Sequence, residues 1–378
     1  MGNYEIPYWR TQLRSEERDA VAAAVEQGCL SMGAITQRFE EALAEFFGVP
    51  SVVCTTSGSS ALFLACAGLG LGPGDEVILP NRTFVATAHA VMLTGATVRL
   101  VDVRPDCTII DEDRIAAAIT PRTRAICAVH LNGNHADMER IRAIARKEGL
   151  AVFEDAAQAF ASRSTQGYLG TLSDAGCFSL GVTKLITTGQ GGLVIAHTPE
   201  LAERLRRFRS HGVFDTFDAT YERFGFNLKY TDMQASVGLV QLGRVSDKIE
   251  RHKRFYSEYV EGLAGLPFIR MLEVDLAAGN VPLWAEALVA DRENVIGLLA
   301  EEGIQVRPFL PNLSEATHLG ARDEDFPNSR PFARHGIFLP SGPDLPANAV
   351  ARTIDVLRSI AGKVRGEAPV LPPRRRAA

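Results

Sequence analysis

The stretch "AGCFSLGVTKLITTGQGGLVIAH", from Ala175 to His197, contains two short apolar runs joined by a glycine-rich loop with one lysine. The runs "AGCFSL" and "GGLVIAH" predict buried β-strands, because they are short, mostly apolar and bounded by turn residues. Lys184 stands alone among small uncharged residues in the loop. Lysine is mostly exposed in proteins, so a surface position is one interpretation. The other is an amine in a dry pocket, where desolvation lowers its pKa and makes it a nucleophile toward aldehydes.

Similar apolar runs recur upstream of this stretch, with helical segments between them. Nearly continuous apolar strands are typical of a mainly parallel sheet that is covered on both faces. The sequence therefore predicts an α/β fold of three layers with a mainly parallel sheet. The other predicted strands are "SVVCTT", "EVILP", "TVRLVDV", "RAICAVHL" and "LAVFED", and the helices between them include "SSALFLACAGLG", "TFVATAHAVMLTG" and "DMERIRAIARKEG".

The length of 378 residues favours two domains. Residues 1–245 are predicted to form the large α/β domain with an N-terminal segment, and one long polar helix around "SVGLVQLGRVSDKIERHKRFYSEYVEGL" leads out of it. Residues 246–365 have fewer strand signals and more proline and glycine, which predicts a smaller α+β domain. Residues 366–378 end in "RRRAA" and are predicted to be a disordered tail.

The amino-acid composition restricts which partners the protein is expected to bind and in which cellular compartment it is expected to work. The formal net charge is -5, which argues against nucleic acid as a main partner. No run approaches the roughly 18 apolar residues that a membrane span requires, and the N-terminus lacks a signal-peptide pattern. The six cysteines show no C-x-x-C spacing and sit mostly among apolar residues, as buried free thiols do. The expected protein is cytoplasmic, without a metal site or a membrane anchor.

Chemistry is expected at the strand ends, because sheets of this type bind ligands beyond the carboxyl ends of their strands. One strand ends at "TTSGSSAL", where Gly58 allows close backbone approach and a helix is expected to begin at Ser59 or Ser60. The free N–H groups and the dipole of that helix form an anion site, most simply for a phosphate. An ordinary helix cap with a tight turn is the alternative interpretation.

Another strand ends in two adjacent acids, Glu154 and Asp155, one of which is expected to face the ligand edge. A carboxylate there can keep a heteroaromatic nitrogen protonated, while capping of a following helix by Asp155 is the alternative. Gln158 is expected on the same face of that helix's first turn. Ser179 places a hydroxyl near the lysine loop. Phe84 offers an aromatic face near the start of a helix, although such a phenylalanine more often lies in the core.

A phosphate site, an aromatic face, an acid and an isolated lysine together match the needs of pyridoxal 5'-phosphate (PLP). Enzymes that use PLP hold it as a Schiff base on a lysine, and an aspartate partners the pyridinium nitrogen. The protonated ring can then accept electrons from a carbanion at the substrate carbon. This combination favours the buried interpretation of Lys184.

The chain resembles the DegT/StrS family of PLP-dependent sugar aminotransferases, which have the type I aspartate-aminotransferase fold. The resemblance covers nearly the whole chain, and the motifs occur in the family's order and at about its spacing. Several motifs in order are far more specific than any one of them. The motifs are "GDEVILPNRTFVATAHAV", "VHLNGNHADMERI", "EDAAQAF", "GCFSLGVTKLITTGQGG", "RSHG" and "GFNLKYTDMQASVGLVQL".

The resemblance implies a role for each candidate residue. Lys184 would form the Schiff base, and Asp155 would pair with the pyridine nitrogen. Gln158 would approach the ring hydroxyl, and Phe84 would stack on the ring. The implied phosphate contacts within the same chain are Gly58, Ser59 and Ser179.

Asn227, in "GFNLKYTDMQA", resembles the residue that family members contribute to the phosphate of the neighbouring subunit. The resemblance therefore implies a homodimer with shared active sites. The preceding segment "RSHGVFDTFDATYERFG" lacks a clear period and predicts a long loop, and such loops are usually functional or interfacial. The alternative is that Asn227 caps the helix that follows.

The sequence also departs from the family's pattern close to the lysine. The family usually has an aromatic residue or His and then Pro in this segment, a glutamate in the glycine cluster, and a small serine ahead of the phenylalanine. These departures leave Lys184 and Asp155 unchanged, but they are expected to border the substrate pocket. The resemblance therefore does not identify a particular sugar as the substrate of this chain. The departing residues are Leu180, Gly181, Val182, Gln190, Asn81 and Arg82.

The predicted activity is a transamination in two stages. Glutamate or glutamine gives its amino group to PLP, and the resulting pyridoxamine 5'-phosphate passes it to a nucleotide-linked keto-sugar in amino-sugar or antibiotic biosynthesis. Lys184 is the base that moves the proton in both stages. The nearest alternative acceptor is a keto-cyclitol of the scyllo-inosose type.

Two further alternatives are disfavoured. In the PLP-dependent sugar dehydratases that the family also contains, His replaces the lysine, whereas Lys184 is present here. A non-catalytic regulatory protein that binds PLP would be expected to lose the lysine or the acid, and both are present.

Overall fold

The computed structural model describes residues 4–213, 220–221 and 223–374. The helices are α1 (Ser15–Glu26), α2 (Ala34–Phe47), α3 (Gly58–Gly68), α4 (Ala86–Leu93), α5 (Glu112–Ala118), α6 (Met138–Glu148), α7 (Pro199–Arg209), α8 (Asp232–Gly243), α9 (Val245–Gly262), α10 (Arg292–Glu301), α11 (Arg330–His335) and α12 (Ala349–Ser359). The strands are β1 (Ser51–Thr55), β2 (Glu76–Pro80), β3 (Thr97–Val101), β4 (Thr123–Val129), β5 (Ala151–Asp155), β6 (Arg163–Ser164), β7 (Gly167–Tyr168), β8 (Ala175–Ser179), β9 (Gly192–Ala196), β10 (Ile269–Met271), β11 (Ala285–Val289), β12 (Arg307–Pro308) and β13 (Gly336–Leu339).

Within the described residues, seven strands form the large sheet in the order β1-β9-β8-β5-β4-β2-β3. Neighbouring strands run parallel except at β9, which is antiparallel to both β1 and β8. The predicted mainly parallel sheet is therefore confirmed. The carboxyl ends of β1, β2, β4, β5 and β8 meet at one edge of this sheet, where ligands of such folds bind.

Side chains of each strand alternate between two apolar cores, one on each face of the sheet. On β1, Val53 packs into the core that contains Leu62 and Leu64 of α3. Val52 and Cys54 point the other way, into the core that contains Phe39 of α2. Because helices cover both faces, almost every strand position is apolar, and the layers are helix, sheet and helix.

The smaller part of the chain contains a four-stranded antiparallel sheet, in the order β10-β11-β13-β12 within the described residues. Side chains of α9, α10 and α12 pack on it, among them Tyr259, Leu299 and Leu357. This is the α+β arrangement predicted for the C-terminal region. Ile6 packs into the same core and pairs with Ile304, so the N-terminal segment reaches the smaller part. The predicted limits of 1–245 and 246–365 stay a prediction.

The predicted tail makes contacts where the structure describes it. Ala368 is buried and donates a hydrogen bond from its N–H to the carbonyl of Pro267. Arg374 donates from its guanidinium to the Glu273 carbonyl at 2.9 Å and to Asn134 Oδ1 at 3.0 Å. Residues 375–378 lie outside the described residues.

The single long helix predicted around residues 236–263 is wrong, because α8 ends at Gly243 and α9 begins at Val245. Arg244 between them has φ of -114° and ψ of 15°, which is not helical. Its guanidinium pairs with the carboxylate of Glu17 on α1. Gly243 has a low helix propensity, so the chain turns there at little cost and the contact with α1 forms.

Candidate active site

A cavity of about 380 Å³ opens at the carboxyl edge of the large sheet and is closed from the other side by the smaller part of the chain. Loops after β1, β2, β5 and β8 supply one wall. Residues near β11, β12 and β13 supply the opposite wall. Most of the predicted site residues line this cavity, namely Gly58, Ser59, Phe84, Asp155, Gln158, Ser179 and Lys184.

Lys184 lies in the loop between β8 and β9, and its Nζ atom is 5.5 Å from the centre of the Trp284 ring. The side chain is half-buried, and the protein atoms around it replace most of its water. Burial lowers the pKa of Lys184 to about 8, although the nearby charge of Asp155 acts in the opposite direction. The amine is therefore available as a nucleophile near neutral pH, which supports the dry-pocket interpretation over the surface one.

The lysine loop is fixed by contacts from distant parts of the chain. The Val182 carbonyl accepts hydrogen bonds from Trp9 Nε1 at 3.0 Å and from Thr11 Oγ1 at 2.7 Å. The Leu185 carbonyl accepts a hydrogen bond from Lys248 Nζ at 3.2 Å. These contacts hold the backbone on both sides of the lysine, so the amine stays directed into the cavity.

The helix after β1 begins at Gly58, one residue earlier than expected, and Ser57 is its cap. The Ser57 hydroxyl accepts from the Ser60 N–H at 3.1 Å, so the first N–H groups of α3 stay available to a ligand. A Cβ atom on Gly58 would lie 2.7 Å from Cβ of Ser179. Only glycine permits this close approach, which brings the helix N-terminus and the Ser179 hydroxyl to the same place.

The two adjacent acids at the end of β5 point in opposite directions. Glu154 is fully buried and accepts hydrogen bonds from His130 Nε2 at 2.8 Å, Gly170 N–H at 2.8 Å and Leu172 N–H at 2.7 Å. Burial by itself raises the pKa of Glu154, but the hydrogen bonds, first of all that from His130, outweigh it and lower the pKa. Its carboxylate oxygens are therefore occupied by hydrogen bonds from protein donors and do not face the cavity.

Asp155 faces the cavity. Its Oδ2 atom accepts from Thr87 Oγ1 at 2.6 Å, and its Oδ1 atom accepts from the Ala157 N–H at 3.0 Å. The helix expected after Asp155 is wrong, because residues 156–161 form turns, and Ala161 has a φ of 65° that ends helical geometry. Gln158 nevertheless reaches the cavity, and its Oε1 atom accepts from the Asn132 N–H at 3.0 Å.

Phe84 is 48% exposed and lines the cavity just before α4, so it is not a core residue. Asn227 does not line the cavity of its own chain and is exposed. It does not cap α8 either, because the side chain of Thr231 accepts from the Gln234 N–H there. The capping alternative for Asn227 is therefore wrong. Part of the loop before it, residues 214–219 and 222, lies outside the described residues.

The sequence model of the DegT/DnrJ/EryC1/StrS aminotransferase family matches residues 11–358. The chain belongs to this family. It is 37% identical over 360 residues to the dTDP-3-amino-3,4,6-trideoxy-alpha-D-glucose transaminase of Streptomyces venezuelae, an alignment that covers 93% of this chain and 94% of the relative.

Solved structures show the same architecture as this aminotransferase. DesV of Streptomyces venezuelae, crystallised with a ketimine intermediate, has a TM-score of 0.89 and 35% identity, over 95% of this chain and 99% of that chain. A proposed sugar aminotransferase of Streptococcus pneumoniae in its PLP form has a TM-score of 0.91 and 26% identity, over 96% of this chain and all of that chain. The predicted type I fold is confirmed.

The chain is a PLP-dependent aminotransferase, whose cofactor alternates between pyridoxal and pyridoxamine 5'-phosphate. The residues present fit this cofactor. The helix N-terminus at Gly58 suits a phosphate, a carboxylate suits a protonated pyridine, and the amine of Lys184 suits an aldehyde. Within the described ranges, no cluster of three or more His, Cys, Asp or Glu side chains is arranged to hold a metal ion. In the same ranges, no helix has the length and apolar character needed to cross a bilayer.

Several cavity residues of the aminotransferase were not found from the sequence. His130 follows β4 at the same sheet edge, so the strand-end argument applied to it as well. Ser57 and Thr183 lie directly beside the predicted residues Gly58 and Lys184, and the others lie in the N-terminal region and the smaller part of the chain, in segments without a local signal. The cavity residues that were missed include Ser57, Tyr8, His130, Thr183, Trp284, Arg307 and Phe338.

The residues that depart from the family's pattern were expected to border the pocket. Of these six residues, Gln190 lines the cavity and the other five do not. Leu180 is fully buried, and its carbonyl accepts the Thr187 hydroxyl at 3.1 Å. Arg82 is also buried away from the cavity, where it donates to the Leu310 carbonyl at 2.6 Å and lies 4.8 Å from the centre of the Phe309 ring. The expectation that Leu180 and Arg82 border the pocket is therefore wrong. Both side chains pack behind the residues that line the cavity.

Proposed function

We propose that this aminotransferase moves an amino group from glutamate or glutamine to the ketone of a nucleotide-linked sugar, in amino-sugar or antibiotic biosynthesis. The observation that carries the proposal is the cavity in which the Lys184 amine, the Asp155 carboxylate and the N-terminus of α3 face one space. The acceptor class is supported by the sugar transaminases to which the chain is similar.

Each side chain has one task in this proposal. Gly58, Ser59 and Ser179 bind the phosphate, and Phe84 and Gln158 orient the ring. Asp155 holds a proton on the pyridine nitrogen, so that the bound cofactor serves as an electron sink. In the first stage Lys184 would take the proton from the donor's α-carbon and pass it to the C4' carbon of the cofactor. In the second stage it would take a proton from C4' and deliver it to the former ketone carbon, so one base would serve both directions.

The direct test uses the pyridoxamine-phosphate form of the enzyme and a set of ring ketones. The set contains dTDP-, UDP- and GDP-linked keto-hexoses and the keto-cyclitol scyllo-inosose, and acyclic 2-oxoglutarate is tested beside it for comparison. Return of the absorbance of the pyridoxal form identifies an acceptor. Reaction with nucleotide-linked ketones supports the proposal, reaction with scyllo-inosose alone supports the cyclitol alternative, and reaction with acyclic 2-oxoglutarate alone contradicts both.

Arg307 supports a nucleotide-linked acceptor over a cyclitol. It lines the cavity, its side chain is exposed, and its guanidinium lies 4.6 Å from the centre of the Tyr8 ring. The ion pairs between side chains that the structure describes do not include Arg307. A guanidinium fixed over an aromatic ring, without a carboxylate partner, is suited to bind a diphosphate.

Arg307→Ala is therefore expected to raise KM for a nucleotide-linked keto-sugar about tenfold, because a charge-assisted hydrogen bond to phosphate is lost. The KM for glutamate should stay within about twofold, and Arg307→Lys should recover part of the affinity because it keeps the charge. Steady-state kinetics with both substrates measure this. An equal rise of KM for scyllo-inosose and for the nucleotide sugar would contradict a diphosphate contact.

We also propose a homodimer in which Asn227 of one chain contributes to the phosphate site of the other. Asn227 is exposed and separated from its own cavity, as this arrangement requires. The neighbouring Tyr221, Phe224 and Phe226 are 73%, 77% and 58% exposed. Several large exposed aromatic side chains in one segment are typical of a protein interface.

A mixing experiment tests the shared site. Lys184→Ala and Asn227→Asp are each expected to be inactive, the second because its carboxylate repels phosphate. In a mixed dimer of the two variants, one site carries both changes and the other carries neither, so activity should return to about a quarter of wild type at equal mixing. If each site is built within one chain, no mixture regains activity.

A further inference from the structure

Trp284 stands directly opposite the reacting amine. It precedes β11 in the smaller part of the chain, lines the cavity, and has its ring beneath Lys184 Nζ at 5.5 Å. The ring of Trp9 packs against it edge-on at 6.3 Å, and that of Phe338 lies at 5.1 Å. The indole is only 9% exposed, so it is held from the sides and offers a fixed surface to the cavity.

Asn132 holds the backbone of Trp284 on both sides. Its Oδ1 atom accepts from the Trp284 N–H at 2.7 Å, and its Nδ2 atom donates to the Trp284 carbonyl at 3.0 Å. Asn132 is fully buried and has φ of 52° and ψ of 33°, a left-handed conformation that asparagine adopts more readily than most residues. Its own N–H donates to Gln158, so one residue connects the cofactor side of the cavity with the opposite wall.

The two walls of the cavity differ in chemistry. The large domain supplies the polar groups, including Lys184, Asp155 and Ser179. The smaller part supplies mainly apolar surface, from Trp284, Phe338, Leu310, Pro308 and the stem of Arg307. The indole lies 5.5 Å from Lys184 Nζ, so a ring ketone whose carbonyl carbon reached this amine would have the indole within reach of its neighbouring ring carbons. The C–H face of a pyranose or cyclitol ring is apolar, whereas the amino-acid donor is acyclic and has no such face.

We propose that Trp284 is a specificity-determining residue that stacks on the carbohydrate ring of the acceptor, and that Asn132 is the positioning residue that fixes its indole. This inference rests on the proposed function, since it requires a ring ketone as acceptor. This role would distinguish the two substrates that bind in the same cavity, because the acceptor contacts the aromatic wall and the amino-acid donor does not.

The competing explanation is that Trp284 only keeps water away from Lys184. Trp284→Leu distinguishes the two, because leucine keeps an apolar wall but removes the aromatic face. Trp284→Phe is the matched control that keeps an aromatic face. If water exclusion were the whole role, the leucine variant would retain both half-reactions and their pH profiles.

The half-reactions are measured separately in stopped-flow experiments. Trp284→Leu should react with glutamate within about twofold of wild type, and its pyridoxamine form should react with 2-oxoglutarate as before. With the ring ketones of the panel, kcat/KM should fall about tenfold, mainly through KM, while Trp284→Phe loses much less. Equal losses for ring ketones and 2-oxoglutarate would overturn the stacking role. A wild-type enzyme that accepts no ring ketone would instead overturn the proposed function.

A binding measurement gives a readout that does not depend on turnover. Trp9 and Trp284 are the two tryptophans of the chain. The probes are dTDP-, UDP- and GDP-glucose and scyllo-inositol, which have the ring but no ketone. At least one should change the tryptophan fluorescence of the wild-type holoenzyme, and this change should vanish in Trp284→Phe. Absence of a change with all four probes, or its persistence in Trp284→Phe, would overturn the inference.

Asn132→Gly tests the positioning role, because glycine accepts the left-handed backbone and keeps the N–H that reaches Gln158. It removes both hydrogen bonds to Trp284. The same acceptor-selective loss as in Trp284→Leu is expected, with the donor half-reaction within about threefold of wild type. Asn132→Asp keeps the bond from the Trp284 N–H but cannot donate to its carbonyl, so its loss should be intermediate. Unchanged acceptor kinetics in Asn132→Gly would overturn the positioning role.

Discussion

Lys184→Ala should lower turnover by about 10⁴-fold or more, because both stages lose the base that moves the proton. The variant should still bind PLP, since the N–H groups of α3 and the Ser179 hydroxyl remain to hold the phosphate. Steady-state kinetics and the cofactor's absorption after gel filtration measure the two effects separately. Retained turnover would contradict the assignment of Lys184 as the base.

The chain offers a matched control for this lysine. Lys248 is buried, and burial lowers its pKa to about 8, as it does for the half-buried Lys184. Its Nζ atom, however, donates to the Leu185 carbonyl and does not line the cavity. Borohydride reduction of the holoenzyme followed by peptide mapping should place the pyridoxyl group on Lys184, in wild type and in Lys248→Met alike. A label on Lys248 would overturn the assignment.

Asp155→Asn should keep PLP bound and slow both half-reactions by about 10²- to 10³-fold. An amide cannot stabilise the protonated pyridine, so the ring becomes a poorer electron acceptor. The fold should tolerate the change, because the asparagine oxygen can still accept from the Ala157 N–H. The Thr87 hydroxyl can turn towards the Phe84 carbonyl, which lies 3.0 Å away, and accept from the new amide. Single-turnover kinetics of each half-reaction provide the measurement.

Glu154→Gln is the control for Asp155→Asn. Its carboxylate accepts hydrogen bonds from His130, Gly170, Leu172 and Ser173, and one amide group cannot replace all of them. This variant should have a lower Tm, while the folded fraction keeps a rate near wild type. Wild-type rates in Asp155→Asn together with a large loss in Glu154→Gln would show that the two acids had been assigned the wrong way round.

The sequence by itself determined the class of fold and pointed to several residues that line the cavity. Strands covered on both faces are mostly apolar, as in the runs "VVC" of β1 and "AVF" of β5, so the sheet can be predicted from local composition. Asp155 was proposed because it ends a predicted strand, Gly58 because it lies in the turn after one, and Lys184 because it is an isolated cation in the glycine-rich loop that follows another. In a parallel sheet all such positions meet at one edge, so nearness in space follows from the order of elements.

Apart from the family resemblance, which implied Asp155, the sequence left open which of the two acids faces the cavity, and the tertiary structure places Asp155 there. Glu154 and Asp155 are adjacent and chemically alike, and their opposite directions follow from the pleat of β5 together with the donors around Glu154. The break between α8 and α9 was likewise not predicted from the sequence. It depends on Arg244, which leaves the helix to pair with Glu17, a residue far away in sequence. A local pattern of helical residues contains no information about such a partner.

The wall opposite Lys184 was also decided by tertiary structure alone. Trp284, Arg307 and Tyr8 lie in segments that show no local sign of a site, and they reach the cavity because the smaller part of the chain and the N-terminal segment fold over it. Asn132 and Trp284 are separated by 152 residues and meet through two hydrogen bonds. Packing between distant segments sets these contacts, whereas Lys184 and Asp155 were proposed from short stretches of sequence.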